Sequence, residues 1–350
     1  MKIEELLEIT INQKASDLHL IAGSPPILRI NGALTPIAGK EGLTEEEVKT
    51  LVLSLLNEEQ KEIFLVNKEI DFSFPYQGRS RFRVNAYHQK GTVAASLRLL
   101  PLKIPKIDEL NLPEICHQFV SLKQGFILVT GPTGHGKSTT LAAIIEEINQ
   151  TRPVHIVTIE DPIEYVFQPK QGIISQREVR SDTHSWQIAL RSCLREDPDV
   201  VMVGEMRDYE TIASALTIAE TGHLVFATLH TNSAAQTIDR VVDVFPEHQQ
   251  EQVKMQLSNT LEAILSQRLL PSLEGGRIPA MEILVATPAV RTSIREGKTH
   301  LIDNIIQTSL ELGMKTLEMD LARLVKQGKI SLEIAKAYAL RPEELIRLIK

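Results

Sequence analysis

Residues 131–138 read Gly-Pro-Thr-Gly-His-Gly-Lys-Ser, directly after the apolar run FILVT and directly before the helix-favouring run STTLAAIIEEIN. That order prescribes a strand, a tight loop and a helix. Glycines at 131, 134 and 136 let successive backbone N–H groups turn to one side, and the helix start adds the positive end of its dipole at the same point. A loop so built holds phosphate. Lys137 is placed to reach the β- and γ-phosphates of a nucleoside triphosphate and Ser138 to ligate Mg2+, with Gly131, Pro132, Thr133, Gly134, His135, Gly136 and Thr139 completing the cradle. ATP with Mg2+ is the expected ligand pair.

Around this loop, short apolar strands (GFILVT, HIVTIE, VVMVGE, LVFATLH, MEILVA) alternate with longer helical stretches, the texture of a mainly parallel sheet covered by helices on both sides. Ligands of such sheets bind beyond the carboxyl ends of the strands. Two acidic groups fall there. VVMV ends in Gly-Glu-Met-Arg-Asp, placing Glu205 where a carboxylate holds magnesium through water or polarises an attacking water, and HIVTI ends in Glu160, Asp161 and, three residues on, Glu164. Either group alone reads equally well as solvated strand-end acid; two of them downstream of a phosphate loop favour hydrolysis. His230 closes the strand LVFATLH and His223 precedes it, both candidates for sensing the γ-phosphate.

The chain has 350 residues, more than one ordinary core, so two domains are expected. Residues 1–100 read as a small α/β domain, 101–112 with Pro101 and Pro105 as a linker, 113–287 as the nucleotide-binding core, and 288–350 as helical. Within the first domain Asn31-Gly32 marks a hairpin, and Thr44 with Glu47 forms a capping box ahead of VKTLVLSLL. In the run SRFRVNAYH, Phe82, Val84 and Ala86 alternate with Arg81, Arg83, Asn85 and Tyr87; in TVAASLRLL, Arg98 faces away from Val93, Ala95, Leu97 and Leu99. By pattern alone this arginine-bearing face reads first as a solvated surface.

A net charge of -7 and 4% aromatic residues argue against a nucleic-acid track or stacking platform. No apolar stretch is long enough to span a bilayer, and MKIEELLEIT reads as an acidic amphipathic helix, so a cytoplasmic protein without membrane insertion is expected. Cys116 and Cys193 are far apart and fit neither a disulfide framework nor a zinc knuckle.

Taken in order along the chain, ASDLHL (15–20), GRSRFRVNAYHQ (78–89), GPTGHGKSTT, TIEDPIEY (158–165), ISQREV (174–179), LREDPDVVMVGEMRD (194–208) and TGHLVFATLHTNSAAQTIDRVVDVFP (221–246) resemble the PilT-type retraction ATPases of type IV pili, within the secretion ATPase superfamily. The resemblance implies a PAS-like first domain and a RecA-like second one. It further implies a homo-hexamer with ATP at subunit interfaces, and work on a pilus through an inner-membrane platform protein. It also gives the arginine face a purpose, since Arg81, Arg83 and Arg98 match positions that reach ATP at the interface.

Two positions depart from the family pattern. His135 stands where the family usually has Ser, and AVRTSIRE (289–296) resembles the AIRNLIRE signature of retraction with Val290, Thr292 and Ser293 substituted. The tetracysteine site of the PilB and GspE types has no counterpart here, because SQRLLPSLEGGRIPAMEIL passes from helix to strand without a cysteine. The alternatives are an accessory or assembly ATPase of the same machinery and, from another class, a nucleic-acid translocase.

Overall fold

A computed structural model describes the chain apart from Asn31, Arg79, Pro101 and Leu102. Those four carry parts of the expected hairpin turn, of the run 78–89 and of the linker, which therefore lie outside the described residues. The chain divides into two compact units, residues 1–103 with 162–166, and residues 104–161 with 167–350.

The first unit begins with the helix Ile3–Asn12 and is built on six strands: β1 Asp17–Ile21, β2 Ile27–Ile30, β3 Ala33–Pro36, β4 Glu69–Tyr76, β5 Ser80–Gln89 and β6 Thr92–Leu100. They form one sheet in the order β3-β2-β1-β6-β5-β4, antiparallel at every step. Short turns suffice to join most neighbours, and the two edges, β3 and β4, each carry a proline, Pro36 and Pro75. The alternation expected of β5 is present: Phe82, Val84 and Ala86 are buried in a core with Val93, Ala95 and Leu97 of β6. Arg81, Arg83 and Asn85 point the other way.

The helix Glu45–Leu53 opens with the reciprocal capping box of Thr44 and Glu47. A second helix, Glu58–Asn67, is passed over by the sequence reading although Asn57 and Gln60 form the same device. It buries only Phe64 and leaves Ile63, Leu65 and Val66 exposed, so its apolar residues carry no helical period to detect.

The second unit is a seven-stranded sheet ordered β13-β12-β7-β11-β10-β8-β9. Its strands are β7 Gly125–Thr130, β8 His155–Glu160, β9 Ile173–Glu178, β10 Val200–Val203, β11 Leu224–Leu229, β12 Leu261–Pro271 and β13 Arg277–Val285. All pairings are parallel except that of β12 with β13. From β7 the chain crosses through the helix Lys137–Thr151 to β8 on one side. From β11 it crosses through the helices Ala234–Asp243 and Glu247–Thr260 to β12 on the other. The direction of winding thus changes around β7, and the crevice at the carboxyl ends of β7 and β11 is where such sheets take their ligands.

One stretch differs from the sequence reading. SQRLL was expected to end a helix, whereas residues 261–271 form the strand β12, whose Ser266, Gln267 and Arg268 are all buried. A strand covered on both faces shows no alternation, and its buried polar residues disguised it further. Beyond Pro288 the chain is helical as expected, and Leu317, Leu321 and Leu324 pack on Leu270, Ile278 and Ala280 of β12 and β13.

Candidate nucleotide cradle and acidic strand ends

The phosphate loop joins β7 to the helix Lys137–Thr151, as its sequence requires. Gly131, Gly134 and Gly136 all have positive φ, at 140°, 79° and 82°. Gly131 also answers to close packing, since a Cβ there would stand 2.4 Å from the Gln267 carbonyl oxygen. Lys137 is buried, and its ammonium donates to the carbonyls of Gly131 at 2.8 Å and Pro132 at 3.1 Å, which bends the loop around its own lysine. Lys137, Ser138 and Thr139 open the helix, where backbone N–H groups lack intrahelical partners and the dipole favours an anion. The loop fits a polyphosphate by this construction.

His135 proves to be part of the frame. Its carbonyl accepts a 2.7 Å hydrogen bond from the Gln267 side chain, and its Nδ1 accepts from the Leu269 N–H at 3.1 Å. Burial, with Arg268, Lys137 and Arg277 adding to it, holds the imidazole below its ordinary pKa, so the ring stays neutral and Nδ1 remains an acceptor. The sequence marks His135 as a departure from the family pattern; its side chain ties the loop to β12.

At the carboxyl ends of β8 and β10, Glu160 is buried and accepts from Thr158 at 2.7 Å and Gln176 at 3.2 Å. Asp161 follows it, exposed. Gly204 keeps this corner tight, since a Cβ there would meet the Ile159 carbonyl at 3.2 Å and the Glu160 Cα at 3.3 Å. Glu205 bonds His230 Nε2 at 2.8 Å and receives a two-pronged contact from Arg207, 2.5 Å from Nε and 2.8 Å from the terminal nitrogen. Burial pushes the Glu205 carboxyl up, but Arg207 and His230 outweigh it and leave the pKa lowered, so Glu205 is ionised at neutral pH. His230 Nδ1 in turn lies 3.4 Å from the Thr133 hydroxyl of the phosphate loop. Thr133, His230, Glu205 and Arg207 therefore form one connected chain across the crevice.

His223 is not part of it. It sits before β11, at the amino end of the strand, and six strand residues separate it from His230 by about 20 Å. There its Nδ1 contacts the Ile218 carbonyl and the Thr221 hydroxyl, closing the end of the helix Tyr209–Glu220. Strand-flanking position alone does not say which edge a residue occupies; strand direction does. Glu164 belongs to the segment 162–166 grouped with the first unit, so of the acids singled out in the sequence those at strand ends of the second are Glu160, Asp161 and Glu205.

On the sheet of the first unit, Arg83 stands directly opposite Arg98, and Arg98 directly opposite Asp17. Asp17 binds Arg98 Nε at 2.9 Å and lies 3.8 Å from Arg29. Burial raises the Asp17 carboxyl pKa, and Ser16 and Arg98 more than reverse this. Arg81 donates to the Ser73 hydroxyl at 3.1 Å. The three candidate arginines thus share one face, with Arg98 held by a partner that the sequence reading quoted without a role.

A family described as type II/IV secretion system protein matches residues 2–336. The chain belongs to this family. Among secretion proteins of this kind, the type IV pilus retractation ATPase PilT of Pseudomonas aeruginosa is 49% identical over 343 residues, covering 98% of this chain and 99% of that one. The type IV pilus ATPase PilU of the same organism is 41% identical over 351 residues, covering 100% and 92%. A crystal structure of the pilus retraction motor PilT with bound ADP superimposes with a TM-score of 0.93 at 48% identity, covering 99% of each chain. An N-terminal α/β domain, a RecA-like ATPase domain and C-terminal helices make up the secretion-family fold seen here.

Arg207, Gln267 and Arg268 were missed as site residues. Arg207 lies inside the acidic run and is recognisable by its spacing of two from Glu205. Gln267 and Arg268 become visible only once β12 is known to lie beside β7.

Proposed function

We propose that this chain is an ATP-hydrolysing motor that drives retraction of a type IV pilus. The observation that carries the reading is the connected path from the phosphate loop through Thr133 and His230 to an ionised Glu205. Likeness over nearly full length to a PilT retraction ATPase supports it.

In this reading Gly131 to Thr139 bind the polyphosphate, and Lys137 exchanges loop carbonyls for phosphate oxygens. Glu205 accepts a proton from, or orients, the attacking water, and His230 reports on the γ-phosphate. Glu160 and Asp161 add negative charge beside Glu205. Ser138, and Glu205 through water, would hold Mg2+, which when bound would supply charge neutralisation to the phosphates. Arg81, Arg83 and Arg98 act on ATP held by a neighbouring subunit of a homo-hexamer, which docks on an inner-membrane platform protein from the cytoplasmic side. Residues 1–100 and 113–287 are the two domains whose relative motion does the work, joined through 101–112. Among the described residues no helix is long and apolar enough to cross a membrane.

Removing the carboxylate tests the reading. Glu205→Gln should retain ADP binding while ATP turnover falls by about a hundredfold or more, the scale of a general base. Turnover at the wild-type rate would remove Glu205 from the mechanism. Cells lacking the chain should be hyperpiliated and non-motile; bald cells would make it an assembly ATPase.

A further inference from the structure

Two consecutive buried residues of β12, Gln267 and Arg268, point to opposite faces of the sheet, and each takes hold of a different part of the site. On one face Gln267 is fully engaged with the phosphate loop and its helix. Its amide nitrogen donates to the His135 carbonyl at 2.7 Å, and its amide oxygen accepts from the Thr140 hydroxyl at 2.7 Å. Its own carbonyl oxygen is the atom against which Gly131 packs, and two residues further on the Leu269 N–H holds the His135 ring. On the other face Arg268 donates from one terminal nitrogen to the side-chain oxygen of Asn232 at 3.0 Å and to its carbonyl at 3.3 Å, while its other terminal nitrogen donates to the Gln267 carbonyl at 3.2 Å, so its main grip outside β12 is on the Asn232 segment. Asn232 is two residues beyond His230, in the short connection between β11 and the helix Ala234–Asp243. On β13, opposite Ser266 of β12, Glu282 grips the same connection by accepting from the Ala234 N–H at 2.6 Å.

A buried arginine is costly unless its donors are used, so its retention at this point needs a compensating role. Its neutral neighbour Gln267 uses both ends of its amide, leaving no slack in the loop it supports. Neither residue touches the crevice through the connected path of Thr133, His230 and Glu205. They act on it through the backbone segments that carry those side chains.

We infer that Gln267 and Arg268 are positioning residues that divide the site between them, Gln267 setting the nucleotide cradle and Arg268 setting the segment that presents His230 to the γ-phosphate and to Glu205. The hydrolytic half of this assignment rests on the function proposed above; the positional half does not. The two segments that must be in register for hydrolysis are thereby referred to one strand, held between β13 and β7.

The test uses the full chain with Gln267→Met, Arg268→Met, Arg268→Lys and Asn232→Ala, the last at an exposed position. Amide hydrogen exchange is read first. Arg268→Met should speed exchange of residues 230–234 by about tenfold and that of 131–140 much less, and Gln267→Met should do the reverse, as loss of one well-used buried hydrogen-bonding group allows. ADP titration and steady-state turnover follow. Arg268→Met and Asn232→Ala should each lower kcat by about tenfold with the ADP Kd unchanged, whereas Gln267→Met should weaken ADP by about tenfold. Arg268→Lys, which keeps a donor, should recover part of the kcat loss, and Asn232→Ala should cost nothing further in the Arg268→Met background. Exchange that rises equally in both segments would overturn the division of labour, as would parallel loss of ADP binding and turnover in every variant, or fully multiplicative effects of the Arg268 and Asn232 changes. A wild-type chain that binds ADP but does not turn over ATP would instead defeat the proposed function, with the exchange and ADP results still deciding the roles of Gln267 and Arg268.

Discussion

Replacing Glu282 by Gln should stabilise the second unit, and by an amount that grows with pH. The carboxyl is 1% exposed on β13 and accepts from the Ala234 N–H, an interaction that the glutamine carbonyl can reproduce. Burial is the main influence and raises its pKa from 4.5 to about 7; the Ala234 N–H and Arg341 oppose the rise, while Asp303 and Glu318 add to it. Below pH 4.5 both folded and unfolded chains carry the proton; between 4.5 and about 7 only the folded chain does. Stability contributed by the protonated carboxyl is therefore complete below the unfolded value, declines as pH rises through this window, and is gone above it. At about 1.4 kcal/mol per unit, the full span corresponds to about 3 kcal/mol.

Glutamine does not titrate. The Glu282→Gln chain should thus match the parent near pH 4.5 and exceed it by up to about 3 kcal/mol above pH 8. Because a chain of two units need not unfold in one step, the measurement should be local: urea-dependent pulse proteolysis or exchange at core amides of β12 and β13 over a pH series. A stability difference that does not change with pH would refute the buried-acid argument, and one that narrows as pH rises would reverse its sign.

Gly131→Ala should weaken ADP binding by tenfold or more, because the added Cβ meets the Gln267 carbonyl at 2.4 Å and the residue keeps φ 140°, a strain of about 1–3 kcal/mol; an unchanged Kd in an ADP titration would show that the loop relaxes freely. Asp17→Asn should cost less than about 1 kcal/mol of stability, since Arg98 is 64% exposed, yet should lower ATP turnover as far as Arg98→Ala does if Asp17 orients that guanidinium. The Asp17 carboxyl pKa is lowered, so the stability difference should be present near neutrality and vanish on acidification below 3.8. Turnover unaffected by Asp17→Asn would leave the pair a purely structural contact.

The parts of this protein that were legible beforehand were those with a short-range physical signature. The glycine spacing of the phosphate loop, the two-residue alternation in β5 and the capping box at Thr44 each depend only on near neighbours in the chain, and each is present. Glu205 and His230 could be placed because a strand's carboxyl end can be read once the strand is known. His223 could be misplaced for the same reason, since a residue flanking a strand lies at one edge or the other according to chain direction. What stayed hidden depends on adjacency without a local pattern. β12 looks helical because its polar residues are buried and satisfied by segments far away in sequence, Gln267 by residues 135 and 140 and Arg268 by residue 232. The helix Glu58–Asn67 stayed hidden for the opposite reason, having too little buried surface to imprint a period.

The prolines on the two edges of the first sheet carry a consequence for a protein that works under load. Pro36 closes β3, and Pro75 interrupts the outer ladder of β4, so neither edge offers an unbroken row of N–H donors to another extended chain. A copy partly unravelled by force then finds no template along these borders. Crowded copies are thereby less prone to fuse edge to edge.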